Sequence, residues 1–336
     1  MTTVDDTVGP TITDTPALFV LPPSARAVGL LANEFGIPPF TLLDTRAGPW
    51  QNRKRDWIAT LGLRSEIGRD AALLGGWSTI APDQYADDGP DTSNPIGAGT
   101  SIFDPVLCEL TYHWHTAPGH YILDPFAGGS VRGIVAAYLG RNYDGIDLRP
   151  EQVAANTDAW DTISAQIPAP PDVFPLWHTA DARDIPHLDL PAADLVFTCP
   201  PYYDLEVYSD DPRDLSAHPT YPAFLDTYRD ALRAAIDRLA DDRFAVIVVT
   251  EIRDKKTGLY RGFVPDTIAA MRQAGAAFYN DAILLNTGGS LPLRVRRQFV
   301  ASRKLGRTHQ NVLTFVKGDP VRATRAAGDV TITDFG

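Results

Sequence analysis

Cysteine is scarce: the 336-residue chain has two, Cys108 and Cys199. They lie far apart with no CxxC pairing, which excludes a disulfide framework and leads us to expect free thiols in a reducing, cytoplasmic setting. Long apolar runs are missing too. None reaches the roughly 18 residues that a membrane span needs, and the acidic start MTTVDDTVGPTITD does not read as a secretory signal, so no membrane partner is expected. Basic charge is in deficit, with 30 Lys and Arg against 42 Asp and Glu and a net charge of −12. That balance excludes a protein that coats nucleic acid with its whole surface, but leaves room for a local basic groove. Of seven histidines only His113 and His115 are close, and their one-residue gap puts them on different helix faces, so no metal is expected. What remains is an ordinary globular composition, 44% apolar and 21% charged. The length suggests two domains, or one large domain with an appendage.

Proline and glycine punctuate the chain most densely over 81–100, APDQYADDGPDTSNPIGAGT, the best linker candidate. Before it, Arg46, Trp50, Arg53, Lys54, Arg55, Trp57, Arg64 and Arg69 mix aromatics with positive charge. Such a mixture suits nucleic-acid backbone binding or base stacking, and suits a solvated amphipathic helix equally well. After residue 100, short apolar runs alternate with helical-period segments, as in an α/β domain with a mostly parallel sheet. Seven strands are predicted, at 121–123, 143–146, 174–178, 194–198, 244–250, 277–285 and 311–317. Helices are predicted at 130–139, 150–159, 221–239 and 265–274, with a helix-free loop joining the last two strands as an antiparallel pair. The expected division is a flexible acidic tail at 1–20, an appendage and linker at 21–100, the main domain at 101–318 and a tail at 319–336.

Two constellations carry chemistry. In the first, an apolar strand runs into Asp124, then Phe126, Ala127, Gly128, Gly129 and Ser130, then a helix. Small residues let a ligand approach the backbone, and the following helix N-terminus offers N–H groups to an anion. Nineteen residues beyond Gly128 stands Asp147, at the end of the next strand, where an acid holds nucleoside ribose hydroxyls in Rossmann-like sheets. In the second constellation a buried strand delivers Cys199, Pro200, Pro201 and Tyr202 to the sheet's C-terminal edge. Consecutive prolines fix the backbone, and the tyrosine is a flat surface for a planar base.

These two motifs resemble the cofactor and catalytic loops of DNA amino-methyltransferases, which methylate cytosine N4 or adenine N6. The resemblance spans residues 101–318. The motif order resembles the family's gamma arrangement, and the run from Ala301 to Val312 resembles methylases of actinobacterial phages. It implies a Rossmann-like class I methyltransferase fold with a seven-stranded, mostly parallel sheet carrying one antiparallel strand, plus the N-terminal appendage. It also implies S-adenosylmethionine as cofactor, double-stranded DNA as partner, and a role in restriction-modification or phage DNA modification. Phe103 and Asp104 then contact the methionine end of the cofactor, Asp147 its ribose and Asp181 its adenine amine, although Asp184 lies close by. Cys199 and Pro200 accept hydrogen bonds from the target amine, which shares its lone pair with the ring and has to be turned toward the methyl. Tyr202 stacks on the flipped base.

Two positions depart from the family. Cys199 replaces an Asp, Asn or Ser, and sulfur is a poorer acceptor, so a thiolate attacking a pyrimidine carbon is the sharp alternative. RNA or protein amines are competing substrates, and a catalytically inactive DNA-binding relative is the non-enzyme alternative. Arg132 enters the first turn after the glycines, where it either points to solvent or phosphate, the favoured reading, or meets a cofactor bearing an extra carboxylate. Finally, Arg294, Arg296, Arg297, Arg303, Lys304 and Arg307 occur with no acid between Asp281 and Asp319. They read as a phosphate-binding surface, which Arg253, Lys255, Lys256 and Arg261 extend.

Overall fold

The computed structural model describes residues 25–63, 102–166, 173–204, 209, 211–286 and 291–330. The expected acidic tail at 1–20, the linker at 81–100, Ser101, Arg64 and Arg69 lie outside the described residues.

Eight described strands form one sheet: β1 (Leu42–Asp44), β2 (Tyr121–Asp124), β3 (Asn142–Asp147), β4 (Pro175–Thr179), β5 (Ala193–Thr198), β6 (Leu239–Val249), β7 (Ala277–Leu285) and β8 (His309–Lys317). Their spatial order is β1-β7-β8-β6-β5-β2-β3-β4. β8 runs antiparallel to both neighbours, β6 and β7. Every other pairing is parallel. The helices are α1 (Ala25–Phe35), α2 (Gly48–Leu61), α3 (Pro105–His115), α4 (Val131–Tyr138), α5 (Pro150–Ser164), α6 (Tyr221–Arg238), α7 (Phe263–Gln273), α8 (Leu291–Ser302) and α9 (Pro320–Ala327). A Rossmann-like α/β fold is therefore present, with β8 as its antiparallel strand.

Central strands read as unbroken apolar runs because helices cover both sheet faces; Phe244 to Val249 of β6 are all buried. One core unites α2, α3 and α4 over Leu195, Phe197, Val246 and Val248. On the opposite face, α6 and α7 pack over Val196, Ala245, Ile247 and Phe315.

The structure corrects three expectations. The sheet has an eighth strand, and it comes from the segment read as an appendage: β1 pairs parallel with β7, Leu43 opposite Leu284. The predicted helix-free loop between the last two strands contains α8. The predicted C-terminal tail begins with α9, capped by Asp319 through the Arg322 N–H, and it buries Ala323 and Ala327.

Helix α2 is not a stacking surface. Trp50 and Trp57 have no exposure, and each indole N–H meets a carboxylate of α3 or its cap. Trp50 Nε1 donates to Asp104 at 3.2 Å and Trp57 Nε1 to Glu109 Oε2 at 2.7 Å. Arg53 pairs bidentately with the same Glu109, Nε to Oε2 at 2.6 Å.

His113 and His115 of α3 are both driven down to a pKa of about 4, chiefly by burial. The Glu109 carboxylate 3.8 Å from His113 does not prevent this, because Arg53 already neutralises it. Both rings are neutral in the fold and take up protons more readily once unfolded. Their stabilisation is therefore complete above the ordinary histidine pKa near 6.5 and lost as pH falls toward 4. Urea unfolding at pH 7 and pH 5 is expected to show a loss of about 2 kcal/mol per histidine. His113→Gln should flatten that slope, and an unchanged slope would remove His113 as its source.

Candidate active site

Strand β2 lies between β3 and β5, and the strand order reverses there, with β3 and β4 to one side and β5 and β6 to the other. This is the topological switch point, and the crevice outside the strands' C-terminal ends is where open α/β sheets bind ligands. Both chemical motifs arrive there, one after β2 and the other after β5.

The turn after β2 is anchored from beneath. Asp124 is fully buried. Its Oδ1 accepts from Thr198 Oγ1 at 2.6 Å and from the Phe126 N–H at 3.2 Å. Its Oδ2 accepts from Tyr143 OH at 2.8 Å and from Arg132 Nε. With both oxygens used internally, Asp124 shapes the turn and presents nothing to a ligand.

Arg132 follows neither reading of the sequence. It is 4% exposed, pairs with Asp124, and gives Nη2 to the carbonyls of Phe126 at 2.8 Å and Ala127 at 2.7 Å. Its guanidinium sits 4.5 Å from the Phe103 ring centroid. The arginine is an internal brace, facing neither solvent nor a carboxylated ligand.

Above this brace the turn opens. Gly128 takes φ +49°, a left-handed conformation that favours glycine. Its N–H donates to Asp147 Oδ2 at 3.1 Å, and its carbonyl accepts from Asn156 Nδ2 at 2.7 Å. Gly129 and Ser130 are half-exposed, and Ser130 leads into α4 without a side-chain cap. Asp147 also accepts the Arg149 N–H at 2.9 Å. From Arg149 a buried relay runs through Gln152 to Asn156. These three polar residues of α5 and its cap were missed, although the spacing i, i+3, i+7 puts them on one helix face.

Asp181 caps a short 3₁₀ turn after β4, accepting the Arg183 N–H at 2.9 Å and the Arg183 guanidinium at 2.6 Å. Burial pushes its carboxyl up, and the Arg183 hydrogen bonds more than offset this, holding it below the ordinary carboxylate range. Asp181 is nearly buried at the strand end while Asp184 is exposed. Asp104 is turned to another task. It caps α3 through the Val106 and Leu107 N–H groups while holding Trp50, and burial raises its pKa. Phe103 packs edge-on to Phe197 at 5.7 Å.

The second motif forms a corner directly beside the first, linked through Thr198 and Asp124. Pro200 is buried, and Cys199, Pro201 and Tyr202 are half-buried. Cys199 Sγ lies 3.3 Å from Tyr202 OH, and that hydroxyl accepts from Gln310 Nε2 at 3.0 Å. Gln310, at the start of β8, was not singled out in the sequence, because its partner lies 108 positions away. The Tyr202 ring meets Phe263 edge-on at 6.1 Å.

The basic surface is divided. Arg296 and Arg297 are exposed on α8 and Arg303 just beyond it. Arg294 falls on α8, its side chain outside the described set. Lys304 approaches Gly258 of the loop after β6, so the two basic segments adjoin. Arg307 is structural: it donates to the His309 carbonyl at 3.1 Å and to Asn311 Oδ1 at 2.8 Å. In the expected extension, Arg261 pairs with Asp254 at 2.8 Å and Lys255 with Asp204 at 3.7 Å, so much of that charge is neutralised. Among the described residues no group of three or more His, Cys, Asp or Glu could hold a metal. No described helix is long and apolar enough to cross a membrane.

No protein-family profile matches the chain. A stretch of 62 residues, 18% of the chain, is 42% identical to the Type II methyltransferase M.XycI of Xanthomonas campestris pv. cyanopsidis. The match spans about one fifth of that relative's length, 21%. Among solved structures, a TehB-like SAM-dependent methyltransferase of Corynebacterium glutamicum aligns with 66% of this chain and 90% of its own, at 15% identity and a TM-score of 0.37. A precorrin-6y C5,15-methyltransferase of Geobacter metallireducens aligns with 70% of this chain and 100% of its own, at 15% identity and a TM-score of 0.40.

Proposed function

We propose that this chain transfers a methyl group to an exocyclic amine, cytosine N4 or adenine N6, of a base flipped from duplex DNA. The observation that carries the reading is the 2.6 Å bond from Thr198 to Asp124. It ties the glycine turn and the Cys-Pro-Pro-Tyr corner together at the switch point, so that donor and acceptor meet on one edge. The local identity to a Type II methyltransferase supports DNA as the substrate.

S-adenosylmethionine is the cofactor, and when bound it supplies an electrophilic methyl group on a charged sulfur. The residues present fit it: a left-handed glycine allows close backbone approach, and acids end β3 and follow β4. Asp147 holds the ribose hydroxyls and Asp181 accepts from the adenine amine, while Phe126, Gly128, Gly129 and Ser130 border the methionine end. The target amine donates to the Pro200 carbonyl and to Cys199 Sγ, which directs its lone pair away from the ring. Sulfur is the weaker acceptor of the two, and the Tyr202 hydroxyl fixes its position. Tyr202 presents its ring to the base, and Arg296, Arg297 and Arg303 contact phosphates.

Incubating the protein with unmethylated DNA and methyl-labelled S-adenosylmethionine, then digesting to nucleosides for mass spectrometry, tests the reading. Label is expected on N4-methylcytosine or N6-methyladenine. Tyr202→Ala should reduce kcat/KM roughly 10- to 100-fold, the worth of one base-aromatic stack. Label on carbon 5 would make Cys199 a nucleophile, and label on RNA alone would overturn the DNA substrate.

A further inference from the structure

The loop between α8 and β8 carries an exposed leucine on a braced backbone. Leu305 is 68% exposed, yet the residues around it are fixed from several sides. Arg303 closes α8 in a left-handed conformation, φ +56°, its N–H donating to the Phe299 carbonyl at 2.8 Å. Lys304 Nζ lies 3.2 Å from where a Cβ on Gly258 would stand, so it rests against the loop after β6. Gly306 presses on Leu291 at the start of α8, where a Cβ would meet the leucine side chain at 2.8 Å. Arg307 is tied to the His309 carbonyl and to Asn311.

This loop stands beside the catalytic corner. Because β8 is antiparallel, its start lies at the C-terminal edge of the sheet, and Gln310, five residues beyond Leu305, donates to Tyr202 OH at 3.0 Å. The neighbouring hairpin after β6, closed by a bridge between Arg253 and Tyr260, is tied to the same corner, since Lys255 Nζ donates to the Asp204 carbonyl. It carries a second exposed leucine, Leu259, at 69%. Apolar side chains held out on braced loops cannot bury themselves by local rearrangement, and clustered on one edge they mark a binding surface. The surroundings set the charge of the partner. Arg296, Arg297 and Arg303 are exposed and Lys304 is half-buried, and the sequence has no acid between Asp281 and Asp319, so the surface suits a polyanion with an apolar interior.

Resting on the DNA reading above, we infer that Leu305 is an apolar wedge, which enters the base stack of the duplex and fills the gap that the flipped base leaves. Flipping costs the unpairing and unstacking of one base, and apolar side chains inserted between base steps help to offset such costs in proteins that distort DNA. Arg296, Arg297 and Arg303 hold the phosphate backbone, while Leu305 leaves water for the space between the bases. The contacts of Lys304 and Gly306 fix the backbone of the wedge before DNA arrives, so little ordering remains to be done on binding.

The test uses the full chain saturated with S-adenosylhomocysteine and two DNA duplexes of one sequence, the first intact and the second with a single abasic site, a gap in the stack that is already open. Binding is measured by fluorescence anisotropy. The gapped duplex is expected to bind at least about tenfold tighter, the worth of burying one leucine side chain. Leu305→Ala should erase that preference while holding the intact duplex within about twofold of the unaltered protein, because the phosphate contacts remain. Leu305→Met, which keeps an apolar side chain of similar volume, should retain the preference. Arg296→Ala combined with Arg297→Ala should weaken both duplexes alike, and Val321→Ala, at an exposed apolar position on α9, should change neither. Equal binding of the two duplexes by the unaltered protein would overturn the inference, as would a preference that survives Leu305→Ala. A dimer in solution that Leu305→Ala converts to monomer would overturn it too, and assign the leucine to a second copy of the chain. The two readings fail separately. A gap preference carried by Leu305 without methyl transfer to DNA leaves the wedge standing and removes the reaction, while DNA methylation without that preference does the opposite.

Discussion

Arg132→Leu is expected to lower the free energy of unfolding by about 3–5 kcal/mol, the usual effect of breaking a buried ion pair from one side. The reason lies in what remains. Asp124 has no exposure, and without the guanidinium its charge keeps only two hydroxyls and one backbone N–H as partners. The carbonyls of Phe126 and Ala127 lose their shared donor at the same time. Thermal unfolding should show the midpoint falling by roughly 5–10 °C. Because these carbonyls belong to the turn that borders the proposed cofactor site, affinity for S-adenosylmethionine in equilibrium dialysis should fall as well. The double variant Arg132→Leu with Asp124→Asn removes both charges and should be more stable than the sum of the single variants indicates, since neither is left stranded. A single variant that loses less than about 1 kcal/mol, the scale of an exposed pair, would show that the brace is not what holds the turn.

Arg132 also marks how far the sequence could be read. The order of strand, acid, glycine turn, helix, strand and second acid is local, and buried parallel strands announce themselves as apolar runs, so the sheet after residue 100 was legible nearly strand by strand. Whether an arginine in the first turn of α4 faces out or in depends on Tyr143 and Thr198, which lie in other strands, and no spacing reveals that. Strand β1 has three residues, too few for alternation to register. Helix α8 escaped because its outward side carries Phe299 and Val300 as well as arginines, which leaves no clean apolar stripe. Gln310 illustrates the limit for the site itself, since its contact with Tyr202 joins the start of β8 to the loop after β5, which meet only in the folded sheet. The burial of Trp50 and Trp57 was within reach: with Leu61 they fall at i, i+7 and i+11, one face of a helix.

That face supports the second large effect. If the segment before residue 100 were an independent appendage, its loss would leave the sheet intact, whereas the contacts of α2 lead to the opposite expectation. Glu109 is fully buried on α3 and satisfied by two groups of α2, Arg53 and Trp57. Glu109→Ala strands a guanidinium and an indole N–H inside the protein, a loss of about 3–5 kcal/mol. Trp57→Ala should match it through the cavity left in the core, about 3–5 kcal/mol. A chain beginning at residue 64 lacks β1 and α2 altogether. It exposes the edge of β7 along Ile283 to Leu285 and the α3 face that carries Glu109, and an uncovered strand edge with apolar surroundings invites aggregation. Urea unfolding of the two point variants and size-exclusion chromatography of the truncated chain check this together. The variants should lose stability by similar amounts, and the truncation should elute as aggregate. A monodisperse truncation that unfolds at the full-length midpoint would make the segment an appendage after all, with Glu109 paired only incidentally.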